Sequence, residues 1–106
     1  MTRAIRIHEY GGLDKLRYED VEVGKPGPGE VRIRNKAIGV NYIDTYFRTG
    51  LYKLPALPAV LGMEGAGEVI GVGPGVTDLK PGDRVAYANP IGSYAEERLA
   101  PADRLV

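Results

Sequence analysis

The chain has 106 residues, room for one domain with a modest core. Its 14 basic residues balance 14 acidic ones without a run of like charge, so no net field draws it to nucleic acid or to an anionic membrane. The absence of cysteine excludes disulfides and thiolate metal sites and is compatible with a reducing compartment. Arg3–His8 alternates polar and apolar residues, with Ile5 and Ile7 on one face, the period of a half-buried strand. Gly11-Gly12 closes it, and Leu16–Val23 reads as a second strand with Leu16, Tyr18 and Val21 facing inward. Gly24–Gly29 is too rich in glycine and proline to hold a ladder and reads as a loop. Glu30–Ile38 is the clearest strand, Val31 and Ile33 alternating with Arg32 and Arg34, and the two arginines read as a solvated face.

The period then changes. Asn41 is placed to cap a short helix over Asn41–Phe47, with Asp44 at the third helical position in a capping-box spacing. Ile43 and Phe47 share one face, and Gly50 supplies the stop. Leu51–Pro58, with Pro55 and Pro58, is an extended loop. Gly62–Val76 has a strand's apolar content at Val69, Ile70 and Val72 but carries glycine at 62, 65, 67, 71, 73 and 75. Such density implies sharp bends, positive φ or the close approach of another backbone. A Rossmann phosphate loop does not fit, because no Gly-x-Gly-x-x-Gly can be laid on these positions and Pro74 blocks the helix that should follow. Lys80–Asp83 is a turn, Arg84–Ala88 a strand, and Ser93–Leu99 another strand anchored by Tyr94. Ala100–Val106 reads as the start of a further element.

Fifteen glycines, eight prolines, many short strands and one short helix describe a mainly β fold, a small β-barrel. No apolar run approaches a membrane span and no signal-peptide apolar region is present, so a soluble, cytoplasmic protein without a membrane partner is expected.

Four segments carry a resemblance. Gly62-x-Glu64-x-x-Gly67, then Gly73 and Val76, resembles the Gly-His-Glu-x-x-Gly-x5-Gly-x-x-Val signature of medium-chain dehydrogenases, with Met63 in place of the histidine. Ile38–Gly50 resembles the segment that carries the catalytic zinc cysteine in alcohol dehydrogenases, with Asn41 in its place. Lys80–Val85 is similar to the Gly-Asp-Arg-Val turn of that superfamily, and Gly92-Ser93-Tyr94-Ala95-Glu96 to its Gly-x-Tyr-Ala-Glu. Together they resemble the zinc-free branch, the NADPH-dependent quinone oxidoreductases related to ζ-crystallin. Zinc is held by deprotonated cysteine and neutral histidine, and the amide of Asn41 and thioether of Met63 would make a very poor site. No metal is expected.

The resemblance implies a GroES-like barrel over residues 1–106, a Rossmann domain that is absent from this chain, and a C-terminal return segment needed to complete the barrel. The chain is therefore expected to be the N-terminal catalytic-domain portion of a reductase, inactive by itself. The complete enzyme is expected to bind NADPH, reduce a small-molecule quinone or enone, and form a homodimer. By the same resemblance Asn41, Tyr42, Ile43, Asp44, Thr45 and Tyr46 are the cofactor-binding candidates. Asn41, Tyr52, Met63 and Glu64 line the substrate pocket, and Tyr46 is the one catalytic candidate. Each has a plainer reading: Asn41 as a helix cap, Tyr46 and Tyr52 as packing aromatics, Met63 as wall filler and Glu64 as a structural carboxylate. His8 lies on a polar strand face and is not assigned to catalysis. A standalone binding or assembly module on the same barrel is the alternative from another class.

Overall fold

The computed structural model describes residues 2–106. The alternation at the N-terminus gives strand β1 (Thr2–Ile7), paired antiparallel with β2 (Arg17–Val21) on one edge and β4 (Ala59–Val60) on the other. Glu30–Gly39 is the long strand β3, flanked antiparallel by β5 (Glu64–Val72) and β7 (Glu97–Pro101), with β6 (Arg84–Tyr87) outside β5. The two sheets have the orders β2-β1-β4 and β6-β5-β3-β7. The stretch before β7 joins them: Ala95 bridges Ala4, the Ile5 N–H donates to the Tyr94 carbonyl, and the Asn35 N–H donates to the Glu96 carbonyl. Among the described residues this is a mainly β architecture with a single short α-helix, α1 (Tyr42–Thr49).

Two apolar clusters hold it. Val31 and Ile33 from β3, Val69 from β5, Val85 and Tyr87 from β6 and Ala100 from β7 form the larger one. Ile7, Leu54 and Leu61 form the smaller, against which Phe47 of α1 and Tyr94 pack. Burying one such aliphatic side chain contributes roughly 1.5–3 kcal/mol. The glycine density of β5 is explained mainly by close approach. A side chain at Gly67 would overlap the Arg34 carbonyl, and the β3–β5 register slips between Asn35 and Ala37 beside it. The expected arginine face is present but not free, because Arg32 and Arg34 both reach Glu97 across the β3–β7 pair, at 2.6 and 3.6 Å. Such part-exposed pairs contribute little, about 0–1 kcal/mol.

Three local expectations are corrected. Tyr18 does not face inward: it is 64% exposed, with the Arg3 guanidinium over its ring. The strand expected from Ser93 begins only at Glu97, since residues 94–96 divide their hydrogen bonds between the two sheets. The final residues are the end of β7 rather than a separate strand or helix of any length: Ala100 and Pro101 close β7, one 3-10 turn follows at Ala102–Arg104, and Val106 then exchanges backbone hydrogen bonds with Ala86 of β6. Among the described residues no helix is long and apolar enough to cross a membrane.

Candidate functional site

The site lies where β3 ends, α1 begins and β5 enters the larger sheet. Asn41 is the N-cap of α1, in extended backbone, and Gly50 closes the helix with φ of 87°. The Asp44 carboxylate accepts the Asn41 backbone N–H at 3.0 Å, which is the return arm of a capping box. The Asn41 side chain also reaches beyond the helix. It donates from Nδ2 to Glu64 Oε1 at 3.1 Å, across 23 residues of sequence.

That contact depends on Gly39, the register partner of Glu64 at the end of the β3–β5 ladder. A methyl group on Gly39 would overlap the Glu64 side chain from Cγ to Oε1. Without it, the carboxylate lies flat over the end of β3 and meets the helix cap.

Aromatic rings continue the site along α1. Tyr46 meets Tyr42 with centroids 6.4 Å apart and Tyr52 edge-on at 5.4 Å; Tyr52 in turn meets Phe47 edge-on at 5.8 Å. Phe47 roots this row in the core, whereas Tyr42 is 83% exposed. The Tyr46 hydroxyl has no hydrogen-bond partner among the described residues, so it is available as a donor. Thr45 spends its hydroxyl on the Tyr42 carbonyl at 2.7 Å. Ile43 is half-buried, and Met63 is half-buried at the entrance to β5.

Asp44 differs from its neighbours in being buried. Its Oδ2 accepts a short hydrogen bond from the Tyr94 hydroxyl, while its Oδ1 is buried without a partner. Burial, then the bond to Asp44 and its charge, push the Tyr94 phenol well above its ordinary range, so it remains a protonated donor. The structure thus pairs Asn41 with Glu64 at the head of α1 and sets Tyr42, Tyr46 and Tyr52 in one aromatic row along it, with Asp44 buried at the cap. Tyr94 and Gly39 were not singled out as site residues. The Gly-x-Tyr-Ala-Glu motif marks Tyr94, but nothing in a linear pattern connects it to a carboxylate 50 residues away.

Among the described residues no group of three or more His, Cys, Asp or Glu side chains is arranged to hold a metal ion. The chemistry at hand is an amide, a carboxylate and phenols beside aromatic faces, which can orient a flat conjugated molecule and donate a hydrogen bond to it.

This barrel, with a capped helix beside a glycine-rich strand, is the class of domain found at the front of the medium-chain dehydrogenases. The alcohol dehydrogenase GroES-like domain matches residues 27–106, and the chain belongs to that family. Over its whole length it is 53% identical to a quinone oxidoreductase of Pseudomonas aeruginosa and 49% identical to a 2-haloacrylate reductase of a Burkholderia species, covering 33% of each. The crystal structure of Escherichia coli quinone oxidoreductase complexed with NADPH superposes on all of the chain with a TM-score of 0.94 and 44% identity, the chain covering 32% of it. The chain thus spans about a third of the length of the proteins it matches.

Proposed function

We propose that the chain is the N-terminal catalytic-domain part of a zinc-independent, NADPH-dependent quinone oxidoreductase that passes a hydride to a quinone or enone. The observation that carries this reading is the Asn41–Glu64 contact beside the Tyr42–Tyr46–Tyr52 row. The two positions that would supply zinc ligands in an alcohol dehydrogenase hold a neutral amide already bonded to a carboxylate and a half-buried thioether. Quinone oxidoreductase and 2-haloacrylate reductase relatives both reduce conjugated acceptors by name, which supports the acceptor class.

Asn41 and Tyr42 are exposed and Tyr46 is half-buried beside them, a setting suited to a flat nicotinamide ring, and the Escherichia coli relative crystallised with NADPH supports the choice of cofactor. When bound, NADPH would supply the hydride. The protein's own part is to align the acceptor against Tyr46 and Tyr52, exclude water, and direct donors at the oxygen where charge develops. The Tyr46 hydroxyl, or a water held by it, donates to the acceptor oxygen where charge develops, and the proton that balances the hydride goes to that oxygen in a quinone and, through the enolate, to carbon in an enone. In this reading Asn41, Glu64 and the half-buried Met63 line the acceptor side, and Thr45 and Ile43 shape the backbone on which Tyr42 and Tyr46 stand. Asp44 is buried and serves the group from below. The compartment in this reading is the cytoplasm, and the partner is a small molecule.

We also propose that a segment outside residues 1–106 completes the barrel. An apolar groove of about 790 Å³ between β1, β2 and β3, lined by Ile5, Leu16, Tyr18, Ile38 and Val40, supports this. The direct test of the function is NADPH oxidation by the complete protein with a simple quinone and with an enone, before and after chelator treatment. Acceptor-dependent turnover that survives the chelator is expected. Failure with both acceptor classes would leave the binding-module alternative.

A further inference from the structure

Tyr94 touches both the helix and the strand entrance that place the Asn41–Glu64 contact. Its backbone N–H donates to the Leu61 carbonyl at 2.9 Å and its carbonyl accepts from Ile5 at 2.8 Å, which pins the residue between β1 and the approach to β5. Its ring lies against Gly62, where any side chain would overlap the Tyr94 ring and the Ser93 hydroxyl. Gly62 has φ of 96° and sits two residues before Glu64. The Tyr94 hydroxyl reaches the other way, to Asp44 Oδ2, the same oxygen that holds the Asn41 backbone N–H. One side chain therefore contacts the strand entrance that carries Glu64 and the carboxylate that places Asn41.

The economy of partners supports a positioning role over simple packing. Asp44 is 4% exposed and only its Oδ2 is hydrogen-bonded, so the cap and the tyrosine converge on one atom. Without the Tyr94 hydroxyl, a buried carboxylate would keep a single backbone donor, an expensive arrangement that favours its rotation or withdrawal. Either movement releases the Asn41 backbone and, with it, the amide that meets Glu64.

We infer that Tyr94 is the positioning residue of the site, holding Asn41 and Glu64 in register with each other through Asp44 and Gly62. The catalytic side of this inference rests on the reductase reading; the geometric side does not. A displacement of a placing group by about 1 Å can cost as much as a hundredfold in rate even far from the reacting atoms.

The experiment uses the complete protein, labelled with 15N at asparagine, with the Asn41 side-chain amide pair assigned by its loss in Asn41→Asp. Tyr94→Phe keeps the ring against Gly62 and removes only the hydroxyl. It is expected to move or broaden the Asn41 amide signals and to lower kcat roughly tenfold or more, with KM for the acceptor changed much less. Asp44→Ala, which removes the acceptor while Tyr94 stays, is expected to displace the same signals; Asp44→Asn, which retains an acceptor oxygen, is expected to hold them. Asn41 signals at their wild-type positions in both Tyr94→Phe and Asp44→Ala overturn the inference, as does a loss of rate that only tracks the loss of folded protein. If the wild-type protein reduces neither quinones nor enones while Tyr94→Phe still displaces Asn41, the reductase reading falls and the positioning role stands.

Discussion

Tyr46 is the residue on which the chemical reading turns, because its ring is supported on two sides while its hydroxyl has no partner among the described residues. A donor aimed at developing charge is worth roughly 2.7–4 kcal/mol where it is central and less where water can substitute. Tyr46→Phe in the complete enzyme is therefore expected to lower kcat/KM about tenfold or more, with Tm nearly unchanged because the ring's packing survives. A packing role gives the opposite pattern, a fully active Phe variant and a destabilised Ala variant, so Tm and kcat/KM of both variants separate the two. Gly39 offers a second test at the same scale. Gly39→Ala forces the Glu64 side chain off the end of β3. Since Glu64 is exposed and flexible, the cost in stability should stay within about 1 kcal/mol. The Asn41–Glu64 bond should be lost, and activity should fall while the melting curve barely moves. Equal losses in both would assign Gly39 to the fold alone.

At the scale of elements, local pattern carried far. β1 and β3 follow from strict alternation, and α1 from Asn41, Asp44 and Gly50 standing at the cap, third and stop positions. Legibility failed where a residue's partners lie far along the chain. Tyr18 has the right period to face a core, but β2 is an edge strand with β1 as its one neighbour, and Arg3 stacks on the outward ring. Ser93–Glu96 has strand-like composition, yet its bonds go to two sheets and no ladder forms. Asn41, Tyr46 and Glu64 are named as site candidates through motif resemblance, and the structure puts Asn41 and Glu64 in contact. Gly39 and Tyr94 are not so named, because a close approach and a 50-residue hydrogen bond leave no periodic trace.

The turn before β6 makes a prediction of its own. Asp83 accepts the Lys80 backbone N–H at 3.0 Å and its ammonium at 3.1 Å, and these hold its carboxyl below the ordinary 3.8. A depressed folded value stabilises the fold above the unfolded pKa, and that contribution is lost as pH falls through the folded one. Asp83→Asn should thus lower Tm near pH 7, and the gap to wild type should close as pH is taken below about 4. A gap that is constant with pH would show that the carboxylate's charge plays no part in the turn.

For the whole molecule, the donor set and the exposed surface point the same way. The sequence has no cysteine, and Asn41 and Met63 stand where ligands are needed, so dialysed chain should carry zinc far below one atom per molecule by elemental analysis. Near-stoichiometric zinc would refute the zinc-independent reading. The chain spans about a third of its relatives' length, and no phosphate-binding loop can be laid on it. On the proposed reading, a nicotinamide reaching Tyr42 and Tyr46 without such a loop would be neither anchored nor aligned. The decisive measurement is therefore steady-state NADPH oxidation with a simple quinone, run side by side on the complete protein and on the 106-residue chain. Turnover by the complete protein and none of use by the chain alone is the expected result. No quinone-dependent turnover by the complete protein, or enzyme-like rates from the chain alone, would contradict it.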